Sequence, residues 1–131
     1  MTLAFRADPR VTKALLVADM IAHREADRLT AGTYWRDGRG CAVGCSVETI
    51  NRVTGAAISH DDHAGLAAAT GIPQQILYLQ DEIFERLPRR EQVTWPERFY
   101  AAIPDGADLS GVWPRFAVWL LLDLVRPAVE D

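Results

Sequence analysis

Apolar positions along this chain recur three and four apart, the spacing that predicts helices. Val11, Leu15, Ala18, Ala22, Ala26 and Leu29 form the first such row, opposite Arg24, Glu25, Asp27 and Arg28. Asp8-Pro9 reads as its N-cap and first residue, because proline's missing N–H costs nothing there. The spacing predicts a helix of about twenty residues ending near Gly32. Val43, Val47, Ile50 and Val53 mark a second helix. It begins with the small residues Gly40, Cys41, Ala42, Gly44, Cys45 and Ser46, so a neighbouring backbone is expected to cross it closely.

Ser59 or Asp61 is the expected cap of a short helix through Leu66 and Ala69, stopped at Gly71. Ile72-Pro73 opens the next, with Ile76, Leu79, Ile83, Phe84 and Leu87 on one face and Gln75, Asp81, Glu82 and Glu85 opposite. Pro88 ends it, and residues 89–95 read as a polar connection or a helical turn. Trp95-Pro96 starts a helix that closes before Pro104, and Trp113-Pro114 opens the last one. Phe116 through Val125 is apolar nearly all round, which places it in the middle of the core. Alternating β-branched runs bounded by turns do not occur. The expected fold is all-α: one compact domain over 1–131, about six helices, the C-terminal one buried.

Composition narrows the function classes. Among 131 residues, 49% are hydrophobic and 24% charged, which are ordinary globular values and not those of a disordered chain. The formal net charge of -4 argues against nucleic acid as a partner, since phosphate binding needs a concentrated positive field. Lys13 is the only lysine, and the Ala- and Arg-rich balance matches GC-rich bacterial coding. The opening residues lack the apolar run of a secretion signal. The longest apolar stretch, Phe116 to Leu122, falls far short of the roughly 20 residues a bilayer needs. A cytoplasmic protein without a membrane partner is the expectation.

Several strings occur together: Tyr34-Trp35-x-x-Gly38-Arg39-Gly40-Cys41-Ala42-Val43-Gly44-Cys45, Gly71-Ile72-Pro73, Asp81-x-Ile83-Phe84-Glu85-x-Leu87-Pro88, Trp95-Pro96-x-x-Phe99, and the run from Ala102-Ile103-Pro104 through Gly106-Ala107-Asp108-Leu109-Ser110 to Val112-Trp113-Pro114-x-Phe116. Over roughly residues 34–122 the chain resembles a family of small uncharacterised bacterial and phage-borne proteins. It is more loosely similar to small bacterial domains in which a tryptophan accompanies a Cys-Ala-x-Gly segment opening a helix. The resemblance implies a compact fold, a bacterial or phage setting, and a histidine that His63 matches best. It assigns no catalytic residue.

Four constellations could carry chemistry. Cys41, Cys45, His60 and His63 form C-x3-C-x14-H-x2-H, a donor set suited to tetrahedral zinc. The competing reading makes the cysteines small core residues, with no cofactor held at all. Both thiols should be free, because i and i+4 β-carbons lie about 5–6 Å apart on a helix and a disulfide needs about 3.5–4.5 Å. Alternatively, Cys41 is a reactive thiol, its pKa lowered by Arg36, Arg39 and a helix N-terminus, with His60 or His63 as base. Third, Arg36, Arg39, Gly40 and Cys41 could cradle an anion on backbone N–H groups. The plainer role for Gly38-Arg39-Gly40 is a sharp turn that folds Trp35 back onto the core. Last come the carboxylates: Asp61 and Asp62 beside His63, and Asp81, Glu82 and Glu85 on one helix, which could bind metal, although the helix carboxylates are expected to form a solvated face.

The favoured expectation is a non-enzymatic interaction or accessory protein, counter-defence included, acting through a protein partner or a homo-oligomer. Its rival is a zinc or thiol site at Cys41, Cys45, His60 and His63, with a structural, redox or hydrolytic role.

Overall fold

A computed structural model of the chain describes residues 2–119 and 122. The helices are α1 (Lys13–Glu25), α2 (Ala42–Thr54), α3 (His63–Thr70), α4 (Gln74–Arg86), α5 (Arg89–Gln92), α6 (Trp95–Ala102) and α7 (Val112–Trp119). Among the described residues the only β-type pairings are two isolated bridges, Leu29 with Gly40 and Arg36 with Arg39. The fold is therefore all-α, and the one-turn α5 is the polar connection before Trp95.

The first helix is shorter than its pattern predicts. Thr12 is the N-cap, accepting from the Leu15 N–H at 3.1 Å. Asp8 is spent on a preceding turn, where its carboxylate accepts from Arg10 N and pairs with the Arg10 guanidinium. The buried face is also turned by one position: Leu16, Met20 and His23 are inside, whereas Ala18 and Ala22 are exposed. Leucine and methionine bury far more apolar area than alanine does, and that difference sets the rotation.

In α2 the expected face holds, with Val43, Val47 and Ile50 fully buried. The helix packs on α1, α3 and α4, so it runs through the centre of the body. α3 is capped by Asp62, not by Ser59 or Asp61; the Asp62 carboxylate accepts from Gly65 N at 2.9 Å. It ends at Gly71, whose φ of 74° is a left-handed conformation that glycine adopts without strain.

α4 shows the same kind of rotation as α1. Its buried residues are Leu77, Gln80 and Phe84. A glutamine can lie inside because its side-chain oxygen accepts from the Trp95 indole N–H at 3.3 Å. That rotation carries Asp81 to the edge of the buried face. Tyr100 of α6 is fully buried, and its hydroxyl donates to Ser46 of α2 at 2.7 Å.

The segment from Leu3 to Phe5 crosses the body and joins distant parts of the chain. Ala4 N–H donates to Ala107 O, Gly106 N–H donates to Ala4 O, and Phe5 N–H donates to Thr70 O, each within 2.8 Å.

The C-terminal helix is not the buried core element that its composition suggests. No described residue of α7 is buried, and Val118 and Trp119 stand 54% and 47% exposed. The core is already filled by the side chains of α1 to α4 and α6, and α7 has no extensive packing on any of them. Leu120 through Val125, apart from Leu122, lie outside the described residues.

Candidate metal centre

The glycine loop before α2 fixes one corner of the site. Asp37 and Gly38 both have positive φ, 54° and 78°, and Arg36 and Arg39 bond back to each other across them. This is the mirror-image turn for which Asp-Gly is suited. It folds Trp35 onto the core, as the loop's composition suggests. The returning chain passes directly over α2. A β-carbon on Gly44 would sit 1.5 Å from the Tyr34 carbonyl oxygen, and one on Gly40 would sit 1.9 Å from it. Hence the small residues of α2 admit a loop backbone, not a neighbouring helix.

Cys41 follows as the N-cap of α2, 1% exposed. His63 is the first residue of α3, and Asp81 and Glu85 stand one turn apart on α4. Since α2, α3 and α4 pack on one another, these residues meet. Cys41 Sγ, one Asp81 oxygen and one Glu85 oxygen lie within 4.8 Å of each other. Among the described residues this is the only group of three or more metal-binding side chains so close together.

Hydrogen bonding orients the cluster. His63 Nδ1 lies 3.1 Å from Asp61 O, and its Nε2 lies 3.3 Å from Asp81 Oδ2. A carbonyl only accepts, so Nδ1 carries a proton, and the Nε2 contact needs a proton from one of its two partners. Tyr78 stacks on the imidazole at a centroid distance of 3.9 Å, and Tyr34 meets it edge-on at 5.8 Å. Glu85 Oε2 accepts from Gly32 N–H at 3.0 Å, tying the loop to α4. Asp81 Oδ1 is left over: it is buried and has no hydrogen-bond partner.

All three acids are held toward their protonated forms. Burial pushes the Cys41 thiol up to about 12, against the pull of the Gly44 and Val43 N–H groups; Asp81 and Glu85 raise it further. Burial likewise raises Asp81, opposed by His63 and by a hydrogen bond from the Cys41 thiol to its carboxylate, and raises Glu85, opposed by the Gly32 N–H. Three acidic groups crowded together favour a proton or a metal cation among them.

The zinc set expected from sequence does not assemble. Cys45 lies one turn further into α2, fully buried, its Sγ 3.3 Å from Gly40 O. His60 stacks on Trp35 and its Nε2 is 2.8 Å from Glu48 Oε2. Only Cys41 of the four expected ligands belongs to the close cluster, with His63 touching it through Asp81. The activated-thiol reading fails for a related reason: burial and two carboxylates raise Cys41 where a nucleophile needs it lowered.

The anion cradle is also absent. Gly40 N–H donates to Arg28 O and Cys41 N–H to Thr33 O, so neither faces a ligand. The Arg39 guanidinium is bound to the Asp27 carbonyl and carboxylate, and Arg36 pairs loosely with Asp37. Asp81 and Glu85, weighed as metal-binding carboxylates but expected on a solvated face, are the residues that meet Cys41. Their signal was positional: Asp81 follows Leu77 by four and precedes Phe84 by three, which places a carboxylate on the buried stripe. No helix among the described residues is long and apolar enough to cross a membrane. Compared with protein-family models, with curated proteins and with solved structures, the chain matches none.

Proposed function

We propose that this protein binds a divalent metal of the zinc class through Cys41, Asp81 and Glu85, with His63 as the residue that positions Asp81. The observation that carries this reading is the buried, unpartnered Asp81 Oδ1 beside a thiol and a second carboxylate. A sulfur donor favours zinc-like cations over magnesium or calcium, which take oxygen ligands. Ligand atoms around tetrahedral zinc stand roughly 3.5 Å apart, so the cluster closes by a small rotation of the exposed Glu85.

Each of these protein groups has a part in binding. Cys41 loses its proton to become the thiolate ligand, with the Gly44 and Val43 N–H groups at the helix end supporting its charge. Asp81 offers Oδ1 while His63 holds Oδ2 from the far side, the arrangement by which outer partners orient metal ligands. Three protein ligands leave a fourth position on the open Glu85 side, as in exchangeable or catalytic sites and unlike closed structural ones.

Cobalt(II) titration of the purified chain tests this, because a thiolate ligand gives cobalt an intense ultraviolet charge-transfer band. One equivalent should develop the band, Cys41→Ser should abolish it, and Cys45→Ser should leave it in place. Failure to take up cobalt or zinc, or uptake indifferent to Cys41→Ser, would sink the proposal.

A further inference from the structure

Three consecutive residues of the loop before α2 reach three of the four residues of the candidate site. Gly32 N–H donates to Glu85 Oε2 at 3.0 Å. Thr33 O accepts from Cys41 N–H at 2.9 Å. The Tyr34 ring meets the His63 imidazole edge-on at 5.8 Å. The residues reached sit on α4, at the start of α2 and at the start of α3, so this short strap joins every element that carries the site.

The two ends of the strap are held unequally. The Tyr34 backbone is pressed against α2, with no room for a β-carbon at Gly40 or Gly44, and Trp35 packs on the core. Gly32 is exposed, and a β-carbon there would meet nothing within 4 Å. Its N–H bonds to the carboxylate of a residue that is also exposed, and water competes for both groups. The Gly32 end is therefore the part of the strap that opens most easily.

A metal changes that balance. Glu85 bound through one oxygen could no longer swing freely, and its other oxygen would stay on the Gly32 N–H. That is the arrangement His63 provides for Asp81 in the same cluster. Linkage makes the effect mutual: closing the strap raises metal affinity by the factor by which metal favours closing.

We infer that residues 32–34 are a strap locked by the metal, in which Gly32 N–H positions Glu85 and loading of the centre closes the Gly32 end of the loop. The inference rests on the proposed metal site and adds the route by which loading alters the protein surface.

Amide hydrogen exchange of the full chain, followed by NMR, tests it, with zinc as the probe and zinc uptake measured on the same sample. One equivalent should slow exchange of the Gly32 amide at least about tenfold. The Arg39 amide, bonded to Arg36 O in the turn beyond the strap, should be unchanged. Gly32→Ala puts a side chain at a φ of 88° and strains the closed strap, so zinc affinity should fall about fivefold. Gly32→Asn, which tolerates positive φ, should recover most of that loss. In both variants saturating cobalt should still give the thiolate band, because Cys41 is untouched. A chain that takes up no zinc overturns the metal site and the strap together. Zinc uptake that leaves Gly32 exchange unchanged, or slows Gly32 and Arg39 alike, overturns the strap alone. So does Gly32→Ala binding zinc as tightly as the wild-type chain.

Discussion

Cys41 and Cys45 are one helical turn apart, equally buried, and both have thiols pushed up to about 12 by burial. Their surroundings nonetheless give them different chemistry. Cys45 faces backbone carbonyls, its sulfur 3.3 Å from Gly40 O and 3.7 Å from Arg28 O. Those contacts satisfy a thiol and offer nothing to a cation that lacks further ligands. Cys41 faces the carboxylates of Asp81 and Glu85. Burial alone therefore does not distinguish the two cysteines; the partners on the opposing helix do.

The largest expected effect removes the floor that both thiols share. Gly44→Ala would drive a methyl group into the Tyr34 carbonyl, so either the loop lifts or α2 moves. A loss of about 3 kcal/mol or more in denaturant stability is expected. A loss below 1 kcal/mol would show that the loop is not held against α2. Next comes metal affinity. Cys41→Ser should lower it at least about a hundredfold, and His63→Gln by about 10- to 100-fold, as expected for an outer partner. Cys45→Ala should instead leave affinity unchanged and cost about 1 kcal/mol of stability as a small core deletion. Isothermal titration and urea unfolding of the same three variants would separate ligand from filler.

Alkaline pH sharpens the comparison further. Both thiols have folded-state pKa values raised above the ordinary 9.0. Their contribution to stability is thus fully present below pH 9 and is lost as pH climbs toward about 12. The melting temperature should fall across that window, with the raised phenol of Tyr100 adding to the fall at its upper end. Metal-loaded protein should fall less steeply, because Cys41 has then already surrendered its proton. Equal slopes with and without metal would contradict a Cys41 ligand. The smallest effect is expected at His60, whose pairing with Glu48 is partly exposed. His60→Ala should change stability by under about 1 kcal/mol and metal affinity not at all.

The helices were legible in the sequence because proline, glycine and the three-four spacing act locally. Pro88, Pro96 and Gly71 mark the ends and starts that the structure shows. Which face turned inward was less legible, since that depends on partners far along the chain. Gln80 goes inside only because Trp95 meets it, and Asp81 follows. The cluster of Cys41, Asp81 and Glu85 was half visible for the same reason. Cys41 could be picked out from its own neighbourhood, whereas Asp81 and Glu85 look like any acidic face until α4 is laid against the end of α2. In α7, composition distinguished an apolar helix from a polar one but could not reveal that its described residues stay outside the core.

The bonds joining Ala4 to Gly106 and Ala107 carry a consequence for how the body is made. They link segments about a hundred residues apart in sequence, so the Leu3–Phe5 segment cannot be locked until residue 107 has been synthesised. Early in translation α1 to α4 can pair among themselves, but the clasp that closes them waits for residues 106 and 107. The body therefore closes only after α6 has been made, shortly before α7 emerges.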